Sequence, residues 1–375
     1  MNKAQEVMSG AESELGHLSN ALASPAQLEH SSSSLDGVPE ELERSVRYAG
    51  VRLTQAAGVL LQLPQDVIAQ AIVVFTRFWV GPEGGSLAVY SAKDVSAVAL
   101  YMTAKLSFYP VSPRSVLNVY TYLLSPTASP LPFVNPEGAP EHPEPESYYL
   151  SEGSYQIERQ NLMKTESAVL RTASFHTRVV LPHTIALTYL QTLKVSSSSV
   201  AARTFAHLNA ALFSPQILYL THQPNALAVA AIYLAAREQG VKIVDSEWWE
   251  VFDVDREELG FLVVAMRSMD GFARAEHEYW KGKVVPLTVG CVEREASRQH
   301  LQQLKENTTE QSRQTDAFQE ELPKGVLRSR LKTLVNYLDK AGLAANRPAS
   351  RHPKSHQRPM YDKEMTTNLS SSKQL

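Results

Sequence analysis

Two charged residues stand where charge is costly. Glu166 falls on the stripe Leu162, Glu166, Val169, Leu170 and Ala173. That spacing puts it on one otherwise apolar face of a helix. A carboxylate there needs a cation or amide donors, because burying it unpaired is expensive. Lys105 closes the stripe Val98, Tyr101, Met102 and Lys105 on another helix, in a last turn where a cation complements the helix dipole. The chemistry open to such groups is recognition: an ammonium donates to carbonyl or carboxylate oxygens, and a carboxylate accepts from amides. The same placement also fits long side chains snorkelling at the edge of a bundle.

Catalytic patterns are missing from the sequence. The loop from Gly81 to Ser86 lacks the Gly-Lys-Ser/Thr ending of a phosphate loop and reads as a turn. The 11 histidines are scattered, and none stands at a metal-ligand spacing; His183 after Pro182 reads as the start of a helix. There is no nucleophile elbow and no kinase catalytic-loop string. The sequence is therefore read as a non-enzyme, with no catalytic residues, cofactor or metal expected.

The elements that must position Lys105 and Glu166 are helical. Tyr48, Val51, Leu53, Ala56, Leu60 and Leu61 recur at helical spacing as far as Pro64. A second helix runs to about Val80, a third from about Ser91 to Phe108, and a fourth from Ser112-Pro113 to about Leu124. Seven of the 21 prolines lie between Pro126 and Pro145, predicting an irregular insertion over 126–147. Helical periodicity returns at 155–175 and again from Pro182, over 198–213, 224–239, 246–252 and 255–273. After Trp280 the pattern decays; 293–308 and 324–342 could be helical, with disorder expected from Asn346 onwards.

One internal echo organises these helices. The ten residues from Ser96 to Lys105 align without gaps on those from Ala228 to Arg237, each with small residues, a central tyrosine and a closing cation. The copies are too far apart for a solenoid repeat. They read as the third helices of two similar all-α bundles in tandem, the other reading being two unrelated Ala-rich core helices.

Composition bounds the rest. The length of 375 residues allows two to three domains, and 43% hydrophobic residues suffice for ordinary cores. A single cysteine, Cys291, excludes an internal disulfide framework and points to a reducing compartment. No signal peptide and no membrane span are expected. The formal charge of -3 averages opposed segments. Acids outnumber bases eight to one between Met1 and Glu43, and bases outnumber acids ten to two between Lys324 and Lys363. Such blocks usually mark solvated segments. The Ser-Pro pairs at Ser24, Ser112, Ser125 and Ser129 read as turn or helix-start signals, with proline-directed phosphorylation as the other reading.

Two five-helix bundles with small-residue third helices resemble the cyclin box fold, and the local strings resemble cyclin L. Ala56-Ala57-Gly58-Val59-Leu60-Leu61-Gln62-Leu63-Pro64-Gln65 is similar to that family's end of helix one. Upstream, Leu18-Ser19-Asn20-Ala21-Leu22 and Ser33-Ser34-Leu35-Asp36 resemble the arm before the box. Phe75-Thr76-Arg77-Phe78, Ala104-Lys105, Val116-Leu117-Asn118-Val119-Tyr120, Glu166 with Val169-Leu170, Pro182-His183 and Ala231-Ile232-Tyr233-Leu234-Ala235-Ala236-Arg237 follow in order. The resemblance covers about residues 18–273. It departs at Ser107-Phe108, where the family usually carries two glutamates, in the long proline-rich loop, and in a tail without the Arg-Ser-rich run.

The resemblance implies an all-α fold of two tandem five-helix cyclin boxes with a disordered N-terminal arm and C-terminal tail. The implied division is an acidic, Ser-rich extended arm over 1–43, a first box over 44–178, a second box over 179–275 and a basic, mostly disordered tail over 276–375. It implies a nuclear regulatory subunit that binds and activates a cyclin-dependent kinase in RNA polymerase II transcription or pre-mRNA processing. Lys105 and Glu166 would hydrogen-bond kinase backbone, with Phe108 and Met102 adding apolar contact. Transcription or splicing machinery is a further expected contact. The tail could carry a nuclear import signal or be inert. Direct nucleic-acid binding is not expected, since no aromatics interleave its cations. The rival reading is a cyclin-fold transcription factor or helical scaffold that binds nucleic acid or polymerase without a kinase; such factors usually carry a zinc ribbon, which one cysteine cannot build.

Overall fold

The computed structural model describes residues 18–243 and 246–321; the acidic stretch 1–17 and the tail from 322, with its basic clusters 328–332 and 347–358, lie outside the described residues. Met1–Leu304 form one compact unit and Lys305–Leu375 a second. Among the described residues there is no strand. Two short helices, α1 (Pro25–Glu29) and α2 (Ser32–Leu35), come first. The first bundle is α3 (Glu40–Leu60), α4 (Gln65–Phe78), α5 (Ala92–Leu106), α6 (Pro113–Leu123) and α7 (Glu152–Thr172). The second is α8 (Pro182–Thr192), α9 (Ser198–Ala211), the short α10 (Leu218–Thr221), α11 (Pro224–Glu238) and α12 (Arg256–Tyr279). Between α11 and α12 a 3-10 turn, Glu250–Phe252, stands where the first bundle has a fourth long helix. α13 (Val289–Glu321) follows.

Local chemistry sets the helix starts. Ser112, Ser151, Ser197 and Asp255 accept from backbone N–H groups in the first turns of α6, α7, α9 and α12. Pro113, Pro182 and Pro224 occupy first-turn positions, where a missing N–H costs nothing. Glu40, Glu41 and Glu43 crowd the first turn of α3 and complement its dipole.

α5 and α11 are the central helices. α5 packs on α3, α4, α6 and α7, and α11 packs on α8, α9 and α12. Their small residues let neighbours approach closely: Ser96, Ala99 and Ala104 are fully buried in one, Ala228, Ala230, Ala231 and Ala235 in the other. Leu42, Leu53, Ile68, Ile72, Phe75 and Leu100 complete the first core, each such side chain contributing about 1.5–3 kcal/mol. The α3–α4 contact requires glycine. A Cβ on Gly50 would sit 2.3 Å from the Phe75 ring, and one on Gly58 2.5 Å from Ile68. Within this core, Ser96 Oγ lies 2.7 Å from Thr54 Oγ1 and 2.6 Å from the Tyr120 hydroxyl, linking α3, α5 and α6. Burial pushes the Tyr120 phenol up.

Three segments differ from the sequence reading. Residues 18–43, read as part of an extended arm, fold against both bundles. Asn20 Nδ2 donates to Val180 O at 2.8 Å, its Oδ1 accepts from Val180 N at 2.8 Å, and its backbone N donates to Gln223 Oε1 at 3.0 Å. Ser33 is fully buried and accepts from Leu87 N. The 126–147 insertion lacks helical periodicity yet buries Ala128, Phe133 and Val134. Arg52 lies 4.6 Å from the Phe133 ring centroid. Beyond Trp280 the chain returns to the first bundle: Val285 N donates to Phe133 O, Lys93 N donates to Leu287 O, and Val285, Leu287 and Val292 are buried.

Candidate partner-binding face

Lys105 sits in the last turn of α5 and Glu166 on α7, and the packing of these helices brings Lys105 Nζ to 3.3 Å from Glu166 Oε1. Glu166 stays on its apolar stripe because Leu162 and Val169 beside it are buried, which holds the carboxylate in place. The pair is uneven: the lysine side chain is 55% exposed, the glutamate 13%. The ammonium also lies 5.6 Å from the Tyr101 ring centroid. With the lysine end in solvent the pair is worth roughly 0.2–1 kcal/mol, so the ammonium can exchange its partner at low cost, whereas the more buried carboxylate needs another donor in its place.

The backbone just beyond Lys105 is fixed. Ser107 Oγ donates to Ala104 O at 2.9 Å and accepts from Tyr109 N at 3.0 Å, so the helix ends in a tight turn. That turn carries Phe108 outward until it is 99% exposed, between the exposed Leu106 and Tyr109. Three adjacent exposed apolar side chains on a pinned turn are unusual, since such surface normally marks an interaction site. Met102 belongs elsewhere. It is 3% exposed, inside the first core, so its surface is spent on packing α5 and the structure does not bring it to this face. The stripe that contains it could not reveal which members face inward.

Other ion pairs of α7 were not visible as sequence motifs. Arg114, at the start of α6, donates from Nη2 to Glu152 Oε2 at 2.6 Å and lies 3.9 Å from the Tyr155 ring centroid. The hydrogen bond from Arg114, then that from Gln156, holds the Glu152 carboxyl below the usual carboxylate range. Lys93, at the other end of α5, contacts Asp94 at 2.9 Å and Glu158 of α7 at 3.7 Å. Burial alone would lower Lys93; the two carboxylates outweigh it and hold the ammonium above its ordinary value. Ion pairs thus fasten α7 to α5 at both ends and to α6 at its start. No local spacing signals them, because each joins residues at least 38 positions apart.

The arrangement offers hydrogen bonds and apolar contact, without a nucleophile beside a base. Among the described residues no group of three or more His, Cys, Asp or Glu side chains could hold a metal ion. No helix among them is long and apolar enough to cross a membrane.

Comparison with known proteins places these features in a family context. No family model matches the chain. It is 27% identical over 271 residues to Cyclin-L2 of Homo sapiens, covering 71% of this chain and 48% of the relative. It is 30% identical over 230 residues to Cyclin-L1-1 of Oryza sativa subsp. japonica, covering 61% of this chain and 49% of the relative. The chain spans about half the length of the curated relatives it matches. Among solved structures, a chain of the yeast RNA Pol II CTD kinase CTDK-1 complex matches with a TM-score of 0.53 at 12% identity, over 76% of this chain and 85% of that one. That likeness is one of fold.

Proposed function

From the premise that the chain is cyclin-L-like, we propose that it is a non-catalytic regulatory subunit of a cyclin-dependent kinase. The kinase seats on the end of α5 and on α7, and the complex acts in the nucleus, in RNA polymerase II transcription or pre-mRNA processing. One observation carries this reading: the Lys105–Glu166 pair stands beside the fully exposed Phe108 on a pinned turn.

Activation here is differential binding. A protein kinase positions its phosphates only when its β3 lysine pairs with the αC glutamate. A rigid face that packs on αC in its inward position alone shifts the population toward that state. Lys105 can donate to kinase carbonyls while Glu166 accepts from kinase amides, the ammonium giving up a weak partner and the carboxylate gaining donors in its place. Phe108, where the resembling family usually carries acid, supplies apolar area that an acid would not. The names of the matched proteins support the reading: curated relatives are called L-type cyclins, and the fold match belongs to an RNA Pol II CTD kinase complex.

The test is affinity purification of the full chain followed by mass spectrometry. The expected result is stoichiometric recovery of a cyclin-dependent kinase. Recovery of polymerase or nucleic acid without a kinase would replace this reading with that of a cyclin-fold factor.

A further inference from the structure

A cleft of about 110 Å³ lies where the middle of α3, the 126–147 insertion and the end of α12 meet, and Arg52 lines it. The Arg52 Cζ is 4.6 Å from the Phe133 ring centroid and 5.7 Å from that of Tyr48. Ring contact occupies the faces of a guanidinium and leaves its N–H groups, which point outward in the plane, for other partners. Arg52 has no such partner among the described residues: no hydrogen bond or ion pair engages it, and its nitrogens are not sealed from solvent. It is the exception among the half-buried arginines. Arg47 donates to Glu43, Arg77 donates to His176 O, and Arg44 pairs with Glu41. A cation aimed by two rings, with its donors open, is prepared to receive an anion.

The charge of the walls agrees. Lys281 lines the same cleft and holds only the exposed Glu278, at 3.4 Å. Glu276 is the one acid among the described lining residues, and it makes no ion pair with Arg52. Two cations against one carboxylate suit a single negative charge, whereas a dianion would be repelled by Glu276. Pro132, Phe133 and Trp280 make the rest of the wall apolar.

We infer that this cleft docks a glutamate from an extended segment of a partner protein, its carboxylate in the plane of the Arg52 fork and a neighbouring proline against Phe133 and Trp280. A planar carboxylate matches the fork, and aromatic walls are the usual seat of a prolyl ring. The insertion thereby acquires a task, since Phe133 helps to aim Arg52. The cleft shares no residue with the Lys105–Glu166 face, and the inference is independent of the kinase reading.

The experiment follows the Arg52 Nε–H signal by ¹H–¹⁵N NMR in the full chain, assigned as the one that Arg52→Lys removes. The probes are acetyl-Pro-Glu-Pro-amide, its glutamine twin and inorganic phosphate. The Arg52 signal moves downfield and saturates with the glutamate peptide alone. Glu276→Gln, which removes the competing carboxylate, tightens binding about threefold, and Lys281→Gln, at an exposed position, weakens it about threefold. An arginine that only packs its two rings together would leave both variants like the parent. A stationary Arg52 signal, an equal response to the glutamine twin, phosphate binding as tightly as the peptide, or a Kd unmoved in both variants would overturn the assignment.

Discussion

In the first bundle the central helix ends in Lys105, which leans on Glu166 from the last helix. In the second, the equivalent helix ends in Arg237 and Glu238, and there the acid is engaged, with Arg203 and His207 of α9. The next residues diverge further. After Lys105 come Ser107, Phe108 and Tyr109, with two rings turned outward; after Glu238 come Gln239 and Gly240, with no aromatic side chain. The two helices share a small-residue interior because each must be approached from several sides. They differ where the helix leaves the core: one end carries exposed rings beside its ion pair, the other does not, and the proposed function rests on that difference. A duplicated scaffold can keep its packing and change its partner surface through a handful of residues after one helix.

Disturbing the scaffold gives the largest effect. Gly50→Val drives methyl groups into the Phe75 ring and should destabilise the chain by about 3 kcal/mol, read by chemical denaturation. Gly240→Ala in the second bundle meets nothing within 4 Å and costs only its left-handed backbone, about 1 kcal/mol. Equal losses would show that Gly50 is not held tightly against Phe75. Next comes the face itself. Phe108→Ser should leave the denaturation midpoint unchanged and weaken kinase binding about tenfold, about 1.4 kcal/mol. A shifted midpoint would mean the ring is not free.

The smallest effect belongs to the closed end of the second bundle. The hydrogen bond from Arg203 is the main influence holding the Glu238 carboxyl below its ordinary range, with His207 adding to it. Its stabilisation is therefore present above the unfolded carboxylate pKa and is lost as pH falls through the lower folded value. Glu238→Gln should cost no more than about 0.5 kcal/mol at neutral pH, and the difference should vanish in acid. A penalty that persists in acid would assign Glu238 a packing role instead.

Much of the fold was legible because helices carry their own punctuation. Ser112-Pro113, Pro182 and Pro224 mark starts, and the echo between 96–105 and 228–237 marks the two central helices. What escaped depends on distant partners. Asn20 is an ordinary polar residue until Gln223, 203 positions away, exchanges hydrogen bonds with it. Phe133 sits among prolines with no periodicity, and its burial depends on Arg52 and on the return of the chain at Val285. At the candidate face, Lys105 and Glu166 were visible as charges on apolar stripes. The inward position of Met102 and the outward turn of Phe108 were not, because a stripe does not say where its helix leaves the core.

The central claim is that one end of one helix, and not its duplicate, seats the kinase. Matched double variants measure it most directly: Lys105→Ala with Glu166→Ala against Arg237→Ala with Glu238→Ala, each titrated against the co-purifying kinase, with helical content checked by circular dichroism. The first pair should raise the Kd by tenfold or more at unchanged helicity, and the second should stay within twofold of the parent. Equal affinities for the two pairs, or a larger loss from the second, would contradict the account.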